Sequence, residues 1–463
     1  MKKKIILSIL ILLLVFLIAI FFNQDIKRKV YQLAPDKIKI IYKILFKDKK
    51  FYTLVGNNKI ENSIKDYNAR FLPETQLIKV DFITKHLNLP GNFHTENKKN
   101  QPILKEFQND NANYNQRDDR IEYHYKFFLE KFKNKIILVN DKGSISEIDN
   151  NLILNQNEDQ INPKIIESNL PNLTVLDILV HKDELFISGI DKNSDCKNEA
   201  LDQDSNVTTK RLFGNYIILT AKINSSFYNF NKFFKSNECG KNIMGGRMKS
   251  FSIDSSEGIL FTTSDSFRIK GTPNDKSQRL DSIYGKTIFI DFEDQNALIY
   301  SIGHRNSQGL YVENDIILET EHGPRGGDEI NKITYNKNYG WPKVSYGTIY
   351  PYNKLIKPKY KKNHSSNGFE EPIFSYVPSI GISEIIKVPN TFISNFWQNN
   401  FLISSLGARS LFRVKFDEEY TKILFNEKIL IGERIRDLIF LEDLNLILLS
   451  LENSKLGILK NLN

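Results

Sequence analysis

The chain has 463 residues, 26% charged and 40% hydrophobic, with 64 Lys and Arg against 55 Asp and Glu and a formal net charge of +9. One ordinary hydrophobic core stops growing at about 250 to 300 residues, so the length calls for a large body with an appendage, or for a radial array that escapes the limit. The positive balance does not mark a nucleic-acid binder: Lys is scattered among Asn, Asp and Glu, much of the excess precedes residue 50, and no aromatic and basic residues interleave.

Residues 1–22 open with Lys2, Lys3 and Lys4 and continue as an apolar run from Ile5 to Phe22, the length of a membrane-spanning helix. The run ends without a small-residue cleavage site, which favours an uncleaved signal anchor over a removed leader. A second basic cluster, Lys27-Arg28-Lys29, follows it, so charge alone leaves the orientation open. Residues 23–130 read as a juxtamembrane stalk and a small appended N-terminal region, with alternating pieces such as Gln76 to Phe82 and a polar Asn, Lys and Gln-rich stretch from Asn97 to Arg120.

From 131 to 463 short β-rich runs recur, among them Ile136–Val139, Thr174–Val180, Tyr216–Leu219, Lys286–Asp291, Asp315–Glu319, Asn400–Ser404 and Asn445–Ser450, with Asn, Asp, Gly or Lys at their bounds. No helical pattern of similar strength interrupts them. Such a run of strands predicts an all-β fold, closed or radially repeated, and six blades of four strands fit the length. The two cysteines, Cys196 and Cys239, are able to close a disulfide in an oxidising compartment or to remain two thiols.

Three motifs carry the chemistry: S-I-G-H-R-N-S-Q-G-L from Ser301, E-T-E-H-G-P-R-G-G-D-E-I-N-K-I from Glu319, and N-Y-G-W-P from Asn338. Glycines and Pro324 in the second form a loop whose carbonyls are free to turn toward a ligand, and a hard cation such as Ca²⁺ accepts carbonyl oxygens. Together the motifs resemble the glucose/sorbosone dehydrogenase family, quinoproteins that fold as six-bladed β-propellers and oxidise sugars with pyrroloquinoline quinone (PQQ) and Ca²⁺.

The resemblance implies that the carbonyls of Gly323 and Pro324 hold the Ca²⁺ that binds the quinone, and that Glu329 and Tyr339 belong to a second Ca²⁺ site. It assigns Arg305, Asn306, Arg434 and Arg436 to the quinone carboxylates, which guanidinium forks suit, and puts Tyr376 beside the cofactor or in the core. It implies a periplasmic body on an inner-membrane anchor, a sugar or other small polyol as substrate, and a respiratory-chain electron acceptor.

The match fails at the base. Where the family carries a histidine before a small-Gly-Arg sequence, this chain reads Asn242-Ile243-Met244-Gly245-Gly246-Arg247, placing Ile243 at the base, and no histidine lies between His181 and His304. Asp265, the counterpart of the aspartate that orients that histidine, is retained, while Leu173 and Gly407 fall near positions of a family Gln and Lys. His304 and His322 stand inside the shared motifs, so neither is a substitute base. Two readings remain: a dehydrogenase with an unidentified base, and a silent propeller that binds a carbohydrate or a protein partner.

Overall fold

The computed structural model describes residues 80–87, 127–154, 160–191, 213–223, 226–241, 243–265, 275–348, 360–392, 397–452 and 455–461. The expected anchor and stalk up to residue 79, and Cys196, lie outside them. No described helix is long and apolar enough to cross a membrane. Cys239 is disulfide-bonded.

Six mainly antiparallel sheets succeed one another along the chain, three of them with a two-residue strand added in parallel. Their inner strands are Phe127–Phe132, Leu173–His181, Gly245–Ile253, Ser307–Glu313, Ile382–Lys387 and Ile435–Leu441, of blades 1 to 6 in that order. Each inner strand packs beside the next, and the sixth packs beside the first, so the ring is a closed six-bladed propeller. Six apolar clusters fill the six gaps between neighbouring blades. A strand sandwiched between two such clusters is covered on both faces. This is why runs such as Lys135–Asn140 and Leu446–Leu451 are apolar without alternation.

In blades 1 to 4 the inner strand turns into its neighbour over two residues, and Lys133, Lys182, Asp254 and Asn314 at the first position have φ of 52° to 54°. Tight turns of this geometry match the twist of the strands they join.

The ring is closed by a strand from the segment read as an appended region. Val80–Leu87 pairs antiparallel with Lys455–Asn461 as the outer strand of blade 6, with Phe82 opposite Leu459. The first strand of blade 1 also begins at Phe127, ahead of the boundary at 131. The pairing links strands far apart in the sequence, so no local pattern in either strand announces it.

On the propeller axis Arg247 forms ion pairs with Asp177 at 2.9 Å, Glu384 at 2.9 Å and Asp437 at 3.3 Å, carboxylates of blades 2, 5 and 6. Its Nε donates to Gln308 O of blade 4 at 2.6 Å. Asp437 in turn accepts from Leu129 N of blade 1 at 2.8 Å. Burial works against the Arg247 charge, but the three carboxylates outweigh it and raise its pKa. Burial pushes Glu130, on the same axis, up to about 8 despite Lys249 nearby.

Candidate functional site

The site is built where the first turns of blades 3, 4 and 6 meet. Arg305 is positioned through its backbone: its N–H donates to Glu321 Oε1 at 2.6 Å, and its carbonyl accepts from Asp265 N at 2.7 Å. The histidine before it serves that placement. His304 Nδ1 lies 3.2 Å from Glu321 and 3.3 Å from Glu319, with Ser301 Oγ 2.8 Å from Nε2. Burial opposes a charge on His304, yet the two glutamates hold it protonated, with its pKa raised to about 10. His304 is therefore a buried cation of the framework.

Asn306 is 3.4 Å from His322 Nδ1 through its Nδ2, and its Oδ1 accepts from Gln308 Nε2 at 2.9 Å. Gln308 Oε1 accepts from Arg436 Nη1 at 3.1 Å. Arg305 Nη1 donates to the carbonyl of His322 at 2.6 Å. Arg305, Asn306 and Arg436 thus form one connected group, joined by Gln308 and His322. Arg434 stands at its edge, its Nε donating to Glu452 and its Nη1 to Leu406 O at 3.5 Å.

Within this group Arg434 is paired with Glu452, whereas Arg436 is not paired with a carboxylate among the described residues. Arg436 forms no ion pair, and its buried Nε has no hydrogen-bond partner, among the described residues. Burial, with Arg247 and Arg434 close by, lowers its pKa to about 10. His322 Nε2 is likewise buried without a partner among the described residues. Burial keeps His322 neutral, with Arg305 and Arg436 adding to the effect against the pull of Asp328.

The glycine loop from Gly323 to Gly327 is held from both sides. Asp328 accepts from Gly323 N at 3.1 Å through Oδ1, and from the N–H groups of Ile380, Gly381 and Ile382 at 2.7 to 3.0 Å through Oδ2. Gly326 and Gly327 have φ of 85° and 72°, and a Cβ on Gly323 would sit 2.0 Å from Gly327 O. Glycine is obligatory there. The carbonyls of Gly323, Pro324 and Tyr339 accept no hydrogen bond among the described residues, as free oxygen donors would. Gly323, Pro324, Glu329 and Tyr339 all line one pocket with Arg305.

Three expectations take a different form. Ile243 is fully buried in the apolar cluster between blades 2 and 3, beside Tyr216 and Tyr284. The residue that reaches the site is its neighbour Met244, 44% exposed, with its sulfur 3.9 Å from Asn306 Nδ2. Met244 is fixed by its backbone, N–H to Ser264 Oγ at 2.8 Å and carbonyl to the Tyr216 hydroxyl. Tyr376 lies in the core between blades 4 and 5, edge-on to Phe374 and Phe412, with its hydroxyl 3.3 Å from Asn426. Leu173 is likewise core.

Asp265, expected to orient a histidine, accepts instead from the indole of Trp341 at 2.6 Å. Burial raises its pKa to about 7, against the nearby Arg305 and the indole bond. Arg305 also lies 5.3 Å over the Trp341 ring. Trp341 stands in N-Y-G-W-P, and Gln308, Met244 and Arg247 stand in the stretches quoted above, but their residue types alone assign none of them a role.

The sequence profile of the Glucose / Sorbosone dehydrogenase family matches residues 207–459. The chain belongs to that family. It is 29% identical over 218 residues to aldose sugar dehydrogenase YliI of Escherichia coli, covering 42% of this chain and 54% of that protein. It is 29% identical over 170 residues to quinoprotein glucose dehydrogenase B of Acinetobacter calcoaceticus, covering 27% of this chain and 36% of that one. The matched segments thus span about half or less of these curated relatives. A crystal structure of glucose dehydrogenase superposes with a TM-score of 0.57 at 19% identity, covering 72% of this chain and 95% of that one. The soluble aldose sugar dehydrogenase of E. coli in its apo-form gives 0.56 at 19% identity, covering 73% and 95%. Both support the propeller fold.

Proposed function

We propose that this member of the glucose/sorbosone dehydrogenase family binds PQQ with Ca²⁺ and acts on a sugar or other small polyol. The observation that carries the reading is the uncompensated guanidinium of Arg436, next to Arg305, Asn306 and His322. Buried charge without a partner is costly, and a ligand bearing carboxylates supplies what is missing. PQQ has three carboxylates. Arg436 and Arg305 would hold them, Asn306 and Gln308 would orient the ring system, and the free carbonyls of Gly323 and Pro324 suit the Ca²⁺. Bound there, the quinone would supply the hydride acceptor for oxidation of a hydroxyl carbon. Trp341 and Met244 wall the site and limit water.

The proton acceptor is the weak link. Ile243 cannot take a proton, its side chain points into the core, and loss of a general base costs about 10² to 10⁴ in rate. This favours a second reading, a propeller that binds its ligand without turnover and serves as a carbohydrate- or partner-binding module. In either case residues 5–22 would anchor the chain in the inner membrane, the body would lie in the periplasm, and a respiratory-chain acceptor would take electrons from an active enzyme.

Titration of the purified chain with PQQ, with and without Ca²⁺, followed by dye-linked aldose oxidation, separates the outcomes. Calcium-dependent binding with turnover establishes a dehydrogenase. Binding without turnover establishes the silent site, and absence of binding overturns the quinone reading.

A further inference from the structure

The pocket that Gly323 and Pro324 share with Glu329 and Tyr339 is the place where the resemblance puts a second Ca²⁺, yet beside its oxygen donors stands a nitrogen donor, His364. Glu321, Glu329, Tyr339, Ser345 and His364 line it. Glu329 is buried, and no Lys or Arg pairs with it among the described residues. His364 is 1% exposed, and its Nε2 lies 3.6 Å from Glu329 Oε1. Its Nδ1 has no hydrogen-bond partner among the described residues and faces Glu371 Oε1 at 4.0 Å. Glu371 is itself fixed, by Ser365 N at 2.8 Å and by the Tyr346 hydroxyl.

An imidazole with one nitrogen turned to a buried carboxylate and the other toward a second carboxylate is the arrangement of a metal-bound histidine with its outer partner. Ca²⁺ takes six to eight oxygen ligands, whereas imidazole suits zinc and its neighbours. Two ligands at about 2.0 to 2.1 Å from a tetrahedral ion stand roughly 3.4 Å apart, close to the 3.6 Å between His364 Nε2 and Glu329 Oε1.

We propose that this pocket binds a divalent transition-metal ion of the zinc class, through His364 Nε2 and the Glu329 carboxylate, rather than Ca²⁺. The Tyr339 carbonyl is the available third donor. Glu321, whose oxygens are already shared by His304 and Arg305 N, contributes charge from behind. Glu371 faces the other ring nitrogen of His364 at 4.0 Å, in the place of an outer partner. The site shares its pocket with Arg305, Gly323 and Pro324 but uses other donors, so failure of PQQ to bind leaves it standing.

The test uses the full chain stripped with EDTA, then offered Zn²⁺ and Ca²⁺ alone and in competition, with bound metal read by atomic emission and folding by thermal shift. One zinc per chain is expected, retained against excess Ca²⁺ and raising the melting temperature. His364→Ala should lose the stoichiometric zinc, Glu371→Gln should weaken it by about 10- to 100-fold, and His364→Asp, with oxygen in place of nitrogen, should shift the preference toward Ca²⁺. Calcium displacing zinc from the unmodified chain, or zinc retained unchanged in both His364 variants, overturns the proposal. Should the variants fail to fold, the competition on the unmodified chain still decides.

Discussion

The indole N–H of Trp341 donates to Asp265 at 2.6 Å, so the carboxylate that the family resemblance reserves for a histidine is already engaged by the N-Y-G-W-P motif. Asp265 is buried beside Arg305, and burial raises its pKa from 3.8 to about 7 against both Arg305 and the indole bond. In the unfolded chain the same group titrates near 3.8. The folded state therefore holds the proton more tightly, and the stability Asp265 contributes is fully present below about pH 4 and lost as pH rises toward 7. Asp265→Asn should remove a slope of at most about 1.4 kcal/mol per pH unit across that window. Urea unfolding of both proteins at several pH values checks this; parallel pH curves would contradict the assignment.

Replacing Ile243 by histidine should not restore a base. The side chain is enclosed with Tyr216 and Tyr284, and an imidazole there would be buried without a designed partner, at a cost of about 1 to 3 kcal/mol. Ile243→His is expected to lower the melting temperature and to change dye-linked turnover by less than tenfold. A gain of a hundredfold would show that position 243 does face the substrate.

Arg247→Met retains most of the side-chain volume but leaves Asp177, Glu384 and Asp437 facing one another on the axis. Removing one partner of a buried ionic cluster costs about 3 to 5 kcal/mol. Chemical denaturation should show a loss of that size, and a loss below 1 kcal/mol would mean the hub contributes little.

The two C-terminal arginines should behave differently toward PQQ. Arg434 already has Glu452, whereas Arg436 has no carboxylate in contact among the described residues. Arg436→Gln is expected to weaken PQQ binding by tenfold or more, and Arg434→Gln by less. Equal effects, read by fluorescence titration, would argue against the charge accounting given for the site.

The strands were legible because sandwiched blades demand apolar runs and tight turns, and both are local signals. The motif residues were legible because spacing is preserved even where geometry is not. What sequence did not carry was direction and distance: whether position 243 or 244 faces the site, that Tyr376 turns into the core, and that Val80–Leu87 crosses the whole chain to reach Lys455–Asn461. Gln308 and Trp341 lay in plain view within the motifs, but a glutamine and a tryptophan have no single chemistry that assigns a role before their partners are known.

The closing pair also has a consequence for biosynthesis. Val80–Leu87 is made before the blade strands that begin at Phe127, and its partner Lys455–Asn461 is made after them. Until then the early strand presents an unpaired edge, the kind of surface that recruits other chains. The interval between the two is thus the period in which this protein is most exposed to aggregation or to a holding chaperone, and the ring locks only once Lys455–Asn461 has been made.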